Sequence, residues 1–114
     1  MVRKLLLSAA LLACTSFAAQ ADIIEGNWKR PVGTIVKFQS CGASTYCAIV
    51  QSGKNAGKQA GSMKGSNGTY RGTLTDLDAN KTYKGKAKIT GNKASMAGCV
   101  LGGLICKTEV WVKQ

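Results

Sequence analysis

Four cysteines stand in two close pairs, Cys41 with Cys47 and Cys99 with Cys106. Thiol oxidoreductases place two residues between their cysteines, whereas five and six residues intervene here. The chain has no histidine that could complete a metal site. Of the three possible pairings, we favour the disulfides Cys41–Cys47 and Cys99–Cys106, because each pair flanks a glycine-bearing segment that could reverse the chain. We expect no metal and no cofactor.

Few groups in the chain could catalyse a reaction. Asp76 and Asp78 alternate with other residues like the opening of a calcium loop, but Lys81 and Ala87 stand where that loop needs glycine and glutamate. Asp and Asn also favour hairpin turns, so we interpret Asp76–Lys81 as a turn. The serines and threonines lack a base that could activate them. We therefore expect no enzymatic activity and no catalytic residue.

Positive charge is the strongest remaining chemical signal, with 16 Lys and Arg against 5 Asp and Glu and a formal net charge of +11. Side chains alternate along a strand, so one face of the strand around residue 86 carries three lysines, and Arg71 should lie on the neighbouring strand. Such a face attracts polyanions. The alternative is a solvated face that prevents edge aggregation. The predicted polyanion-binding residues are Arg71, Lys84, Lys86 and Lys88.

The first 21 residues are typical of an export signal. Arg3 and Lys4 precede the apolar run 5–13, which is too short to span a bilayer, and Ala19-Gln20-Ala21 is a plausible cleavage site. We expect a signal peptide at 1–21, a single secreted domain at 22–114 and a periplasmic or extracellular location. A lipoprotein anchored at Cys14 is the less favoured alternative. No transmembrane segment is expected, and the oligomeric state stays open.

The elements that position these groups are predicted to be strands. Alternating and β-branched runs, separated by Gly, Asn and Asp, indicate seven or eight strands. The glycines and lysines of 52–68 indicate a mobile loop that leaves room for one short strand near Ser62. An antiparallel up-and-down meander of this kind can remove its edges by closing into a barrel. The predicted strands are Gly26–Arg30, Thr34–Ser40, Tyr46–Gln51, a strand from Thr69, Thr82–Thr90, Ala94–Cys99 and Cys106–Lys113.

The same alternation predicts the core. We expect the strand at 46–51 to be buried on both faces and the following large side chains to be among those buried: Trp28, Val36, Phe38, Ile49, Tyr70, Leu74, Tyr83, Ile89 and Trp111.

Several short motifs, in this order and spacing, resemble the bacterial domain-of-unknown-function family 2147. The resemblance covers nearly all of 22–114, and it implies a small secreted protein with a lipocalin-like barrel. Because no activity is established for that family, the resemblance implies no mechanism. The motifs are Ile24-Glu25-Gly26-Asn27-Trp28, Cys41-Gly42, Cys47-Ala48-Ile49-Val50, Gly72, the turn from Asp76, Lys81-Thr82-Tyr83, Gly98-Cys99-Val100, Cys106 and Val110-Trp111.

Together these observations predict a non-enzymatic envelope protein, a small disulfide-linked barrel that binds an amphipathic small molecule or an anionic envelope component such as a glycolipid. Nucleic acid is disfavoured, because Tyr70 and Tyr83 fall on the face opposite the lysines and could not stack on bases beside them. The alternative is a basic surface that contacts a protein partner without any small-molecule ligand.

Overall fold

The computed structural model describes residues 21–114, which form an all-β barrel of eight strands. The predicted signal peptide, apart from Ala21, and the alternative lipid anchor at Cys14 lie outside the described residues. Each strand pairs antiparallel with the next along the chain, and β8 returns to β1. The strands are β1 Gly26–Lys29, β2 Ile35–Gly42, β3 Thr45–Val50, β4 Gln59–Ser66, β5 Thr69–Asp76, β6 Lys81–Thr90, β7 Lys93–Val100 and β8 Ile105–Lys113.

The seam between β1 and β8 is the shortest strand pairing. It consists of the residue pairs Trp28–Lys113 and Lys29–Val112, whereas β7 and β8 pair over eight positions. Side chains also cross the seam: the Lys113 Nζ donates to the Ile23 carbonyl at 3.0 Å, and the Arg30 guanidinium pairs with Glu109. These contacts join the first and last strands and close the predicted meander into a barrel.

Strand β4 includes the short strand predicted near Ser62 but is longer, and it corrects the prediction of a loop over 52–68: only 52–58 and the turn at 67–68 lie outside strands. Gly61, Met63 and Gly65 face inward, and both glycines have φ near +150°, a conformation that side chains rarely adopt. A Cβ at Gly61 would lie 2.3 Å from the Thr73 carbonyl oxygen. The glycines therefore allow β4 and β5 to approach closely. In the sequence, the same high glycine content indicated a loop.

The core fills the barrel with apolar side chains, and no polar or charged residue among 21–114 is buried. Six predicted core residues are buried: Trp28, Val36, Phe38, Tyr70, Ile89 and Trp111. Met63 and Met96 complete the centre, and neither was predicted because methionine carries no strand signal of its own. Leu74 packs against the core but is only half-buried, as is Tyr83.

Ile49 was wrongly assigned to the core. The register pairs it with the exposed Lys37, while Ala48 and Val50 face inward opposite Phe38 and Val36. The prediction that this strand is buried on both faces is therefore also wrong, because its outward side chains are only partly covered. A short apolar run does not show by itself which of its two faces points inward.

The residues before β1 form a turn that closes one end of the barrel. Ile24 is buried, and its carbonyl accepts a hydrogen bond from the Trp28 indole N–H at 2.8 Å. The Tyr70 hydroxyl donates to the Asp22 carboxylate, which also accepts from the Asn67 backbone N–H. Asp22 therefore links the turn before β1 to β5 and to the turn between β4 and β5.

Candidate functional site: a basic outer face

The predicted basic residues lie together on the outside of β5 and β6. Arg71 is directly opposite Lys86 across the two strands, while Lys84 and Lys88 lie two positions away on either side of Lys86. All four are exposed, whereas the alternate residues Gly85, Ala87 and Ile89 are buried. Lys64, on the neighbouring strand β4, belongs to the same surface. We call these five residues the basic face.

Lys64 extends the basic face onto β4. The register places Lys64 opposite Arg71, which in turn is opposite Lys86, so three cations form a row across three neighbouring strands. Residues directly opposite in an antiparallel pair have Cβ atoms about 5 Å apart, close enough for like charges to repel. The sequence did not predict Lys64 because its segment was interpreted as a loop; the alternation of Gly61, Met63 and Gly65 was the available signal.

No carboxylate in the described part of the chain forms an ion pair with this face. The two ion pairs found within residues 21–114 are Arg30–Glu109 and Lys54–Asp78, and neither includes a member of the basic face. Hydroxyl side chains stand between the cations instead: Thr73 is opposite Lys84, and both Thr69 and Ser95 are opposite Lys88. Cations interleaved with hydroxyl donors can bind the oxygens of a phosphate group.

Two open grooves run along the basic face, and both are lined by Arg71 and Lys86. The first extends over β6 towards β7 and β8, where the small residue Ala97 opposite Lys86 leaves space. The second lies between the lysines and the β7–β8 loop, whose residues Gly102 and Gly103 form its other wall. The lysines therefore border concave surface that an anionic group can enter.

Both disulfides in the structure join the favoured pairs, Cys41–Cys47 and Cys99–Cys106. Cys41–Cys47 links β2 to β3 beside a register shift between Ser40 and Gly42. Cys99 and Cys106 are directly opposite on β7 and β8, on the same outer side as Lys84. This second bridge fixes the base of the β7–β8 loop next to the basic face.

The carboxylates of the predicted turn act locally. The Asp76 carboxylate accepts backbone N–H groups of Asp78 and Ala79, both at 3.1 Å, as expected for a hairpin turn. Asp78 accepts a hydrogen bond from the Asn55 side chain at 3.0 Å and pairs with Lys54 at 3.2 Å. The hydrogen bond from Asn55, followed by that from Lys54, lowers the pKa of Asp78 below its ordinary value. Within residues 21–114, no cluster of three or more His, Cys, Asp or Glu could hold a metal ion.

A second charged cluster lies at the β1–β8 seam. Glu109 accepts hydrogen bonds from Arg30 Nε at 2.7 Å and from the Trp111 indole N–H at 2.6 Å, and Arg30 lies over the Trp111 ring. Burial by itself raises the pKa of Glu109, but the hydrogen bonds from Arg30 and Trp111 outweigh burial and lower it overall. The carboxylate is fully engaged by these partners, which gives the cluster a structural role.

None of the helical structure in the described part of the chain is long and apolar enough to cross a membrane.

Comparison with known proteins gives one family. No curated protein and no solved structure matches the chain. The model of the family described as "Uncharacterized protein conserved in bacteria (DUF2147)" matches residues 59–113, which contain β4 to β8 and therefore the whole basic face. The match confirms the resemblance drawn from the sequence motifs. Over residues 59–113, which hold five of the eight strands, the chain is therefore similar to the DUF2147 family.

Proposed function

We propose that this protein is a non-catalytic component of the bacterial envelope whose basic face binds anionic groups at the envelope surface. The observation that carries this proposal is the row Lys64, Arg71 and Lys86, flanked by Lys84 and Lys88, with no carboxylate partner among the described residues. Mutual repulsion of these cations is relieved when an anionic surface approaches. Each cation near an anionic bilayer contributes about 1 kcal/mol to binding, so several acting together give useful affinity.

A membrane surface fits the basic face better than nucleic acid does. Proteins that bind single-stranded nucleic acid place aromatic side chains among the cations so that bases can stack on them. Here Tyr70 is buried inside the barrel, and Tyr83 also points inward. The exposed groups beside the cations are hydroxyls, which suit phosphate or sugar oxygens.

The barrel interior is a less favourable ligand site. Trp28, Phe38, Met63, Tyr70 and Met96 are all at most 2% exposed and occupy the centre where a lipocalin would hold its ligand. Phe38 and Trp111 have ring centroids 6.1 Å apart, and Tyr46 meets Tyr70 edge-on at 5.9 Å. A native mass spectrum of protein purified from the envelope tests this alternative, because a stoichiometric bound small molecule would favour the interior.

The direct test replaces Lys84, Lys86 and Lys88 by glutamine and measures co-sedimentation with phosphatidylglycerol vesicles. We expect affinity to fall about 100-fold, since three charges worth about 1 kcal/mol each are lost. The melting temperature should change little, because exposed substitutions usually cost less than about 0.5 kcal/mol each. Salt should weaken the binding of the unmodified protein, since the charges are exposed.

The matched control replaces Lys29, Lys37 and Lys58, which are exposed and belong to β1, β2 and the segment before β4. This control variant loses the same net charge, so the proposal requires it to keep most of its vesicle affinity. Equal binding by the two triple variants would show that only net charge matters and that the basic face is a solubility device.

A further inference from the structure

The loop between β7 and β8 exposes an unusual amount of apolar side chain. Leu101 is 68% exposed, Leu104 is 86% exposed and Ile105, the first residue of β8, is 57% exposed. The other large apolar residues that are exposed in the described chain are dispersed: Ile23, Val32, Val110 and Val112. Single exposed apolar side chains are ordinary, but a contiguous group marks an interaction site. We call Leu101, Leu104 and Ile105 the apolar tip.

The backbone holds the apolar tip away from the core. Leu101 has a φ of +53°, in the left-handed region that a leucine seldom adopts, and Gly102 and Gly103 continue with φ of +68° and +97°. The Cys99–Cys106 disulfide fixes the base of the loop, and the Leu104 N–H closes it by donating to the Leu101 carbonyl at 3.3 Å. The fold thus keeps leucine in an unfavourable conformation, which is characteristic of functional segments.

The apolar tip adjoins the basic face. Gly102 and Gly103 of the same loop form one wall of the second groove, and Arg71, Lys84 and Lys86 form the other. The loop that carries the apolar tip therefore borders the basic face through its two glycines. An anionic bilayer presents the complementary arrangement, with phosphates at the surface and acyl chains immediately beneath them.

We propose that the β7–β8 loop inserts its apolar tip into an anionic bilayer while the basic face contacts the headgroup phosphates. This inference rests on the proposed function and adds a second, apolar component to it. Stable attachment to a membrane usually needs two weak contributions that act together. Here the two contributions are the insertion of two or three aliphatic side chains and the attraction of several cations to the headgroups.

The first test replaces the apolar tip with polar residues, as Leu101→Asn, Leu104→Ser and Ile105→Ser together. Asparagine is chosen at 101 because it tolerates a positive φ. The control is Ile23→Ser, which removes an apolar side chain of 49% exposure from the turn at the closed end of the barrel. We expect the tip variant to lose about 100-fold in affinity for phosphatidylglycerol vesicles and the control variant to lose little.

Salt separates the two components of binding. At about 0.5 M salt the Debye length is about 4 Å, so attraction to the basic face is largely screened while burial of apolar surface is not. The unmodified protein and the Ile23→Ser control should keep residual vesicle binding there, whereas the tip variant should lose it completely.

The second test measures insertion directly with Leu104→Trp and lipids brominated along their acyl chains. Both native tryptophans are shielded, since Trp28 is fully buried and Trp111 is 6% exposed, so additional quenching reports the new side chain. We expect strong quenching with phosphatidylglycerol vesicles. Salt-sensitive binding without quenching, and with unchanged affinity of the tip variant, would overturn tip insertion but leave the basic-face proposal intact. Failure of the unmodified protein to bind at low salt would overturn both.

Discussion

At the scale of single residues, Gly72 sets how closely two strands can approach. It faces inward on β5, opposite Met63 on β4, and a Cβ there would lie 1.9 Å from the Ser62 carbonyl oxygen. The obstacle is backbone, so no side-chain rotation can relieve it. We expect Gly72→Ala to lower the free energy of unfolding by at least about 3 kcal/mol, as severe overpacking does.

A second glycine supplies the control for this prediction. A Cβ at Gly98 on β7 would be 3.5 Å from the Tyr83 Cβ, an ordinary contact. Gly98→Ala should therefore unfold in urea close to the midpoint of the unmodified protein. Equal midpoints for the two alanine variants would mean that β4 and β5 are farther apart than the structure shows.

Glu109 gives stability a defined pH dependence. Its pKa is lowered in the folded protein, so its contribution is fully present above the unfolded pKa of about 4.3 and is lost as pH falls through the lower folded value. Because the Arg30 and Glu109 side chains are 36% and 34% exposed, we expect Glu109→Gln to cost only about 1 kcal/mol at neutral pH. Urea unfolding between neutral pH and about pH 3 should show the difference shrinking with acidity.

Asp78→Asn is the comparison for Glu109→Gln. The Lys54–Asp78 pair is more exposed, at 78% and 63%, and should contribute less at every pH. A stability loss in Glu109→Gln that stays constant down to acid pH would indicate that the glutamine side chain disturbs packing and that the ion pair contributes nothing.

At the scale of the element, the two faces of a strand should respond differently to truncation. Phe38 is 1% exposed inside the barrel, whereas Ile49 on the adjoining strand faces outward opposite Lys37. We expect Phe38→Ala to cost about 3–5 kcal/mol and Ile49→Ala less than half as much, measured by chemical unfolding. The reverse order would mean that β3 is shifted by one residue relative to β2.

Strand prediction succeeded where one face is apolar and the other is charged. In β6, Gly85, Ala87 and Ile89 alternate with lysines, and both the strand and its facing follow from that pattern. In β4 the inward positions are Gly61, Met63 and Gly65, so the alternation is present but two of the three residues are typical of turns. In β3 both faces are apolar, and only pairing with β2 decides which one is buried.

The candidate site was predictable only in part. Lys84, Lys86 and Lys88 share a face because of strand periodicity, and Arg71 joins them because consecutive strands pair. Assigning Lys64 to the basic face requires β4 to be recognised as a strand. The apolar tip could not be predicted, since a Leu-Gly-Gly-Leu-Ile segment between strands resembles buried structure; its exposure depends on backbone dihedrals at Leu101 and the two glycines, which leave no periodic signal.

At the scale of the whole molecule, the two proposed contact regions lie at one end and on one flank of the barrel. Turns alternate between its two ends, so the β7–β8 loop lies at the end opposite the closing turn before β1. The basic face occupies the flank formed by β4, β5 and β6. Contact through the apolar tip and this flank therefore leaves Ile23 and the closed end directed away from the surface.

The short seam between β1 and β8 has a consequence for the order of folding. The seven other strand pairings join strands that are neighbours in sequence. The pairing of β1 with β8 instead closes a loop of nearly the whole described chain, and it forms only two residue pairs. Loop-closure entropy makes such a contact late to form. We expect hydrogen exchange to find β1 and the end of β8 less protected than β5, β6 and β7, because the seam can open without disrupting the other hairpins. Uniform protection around the barrel would instead mean that the first and last strands open only when the whole molecule unfolds.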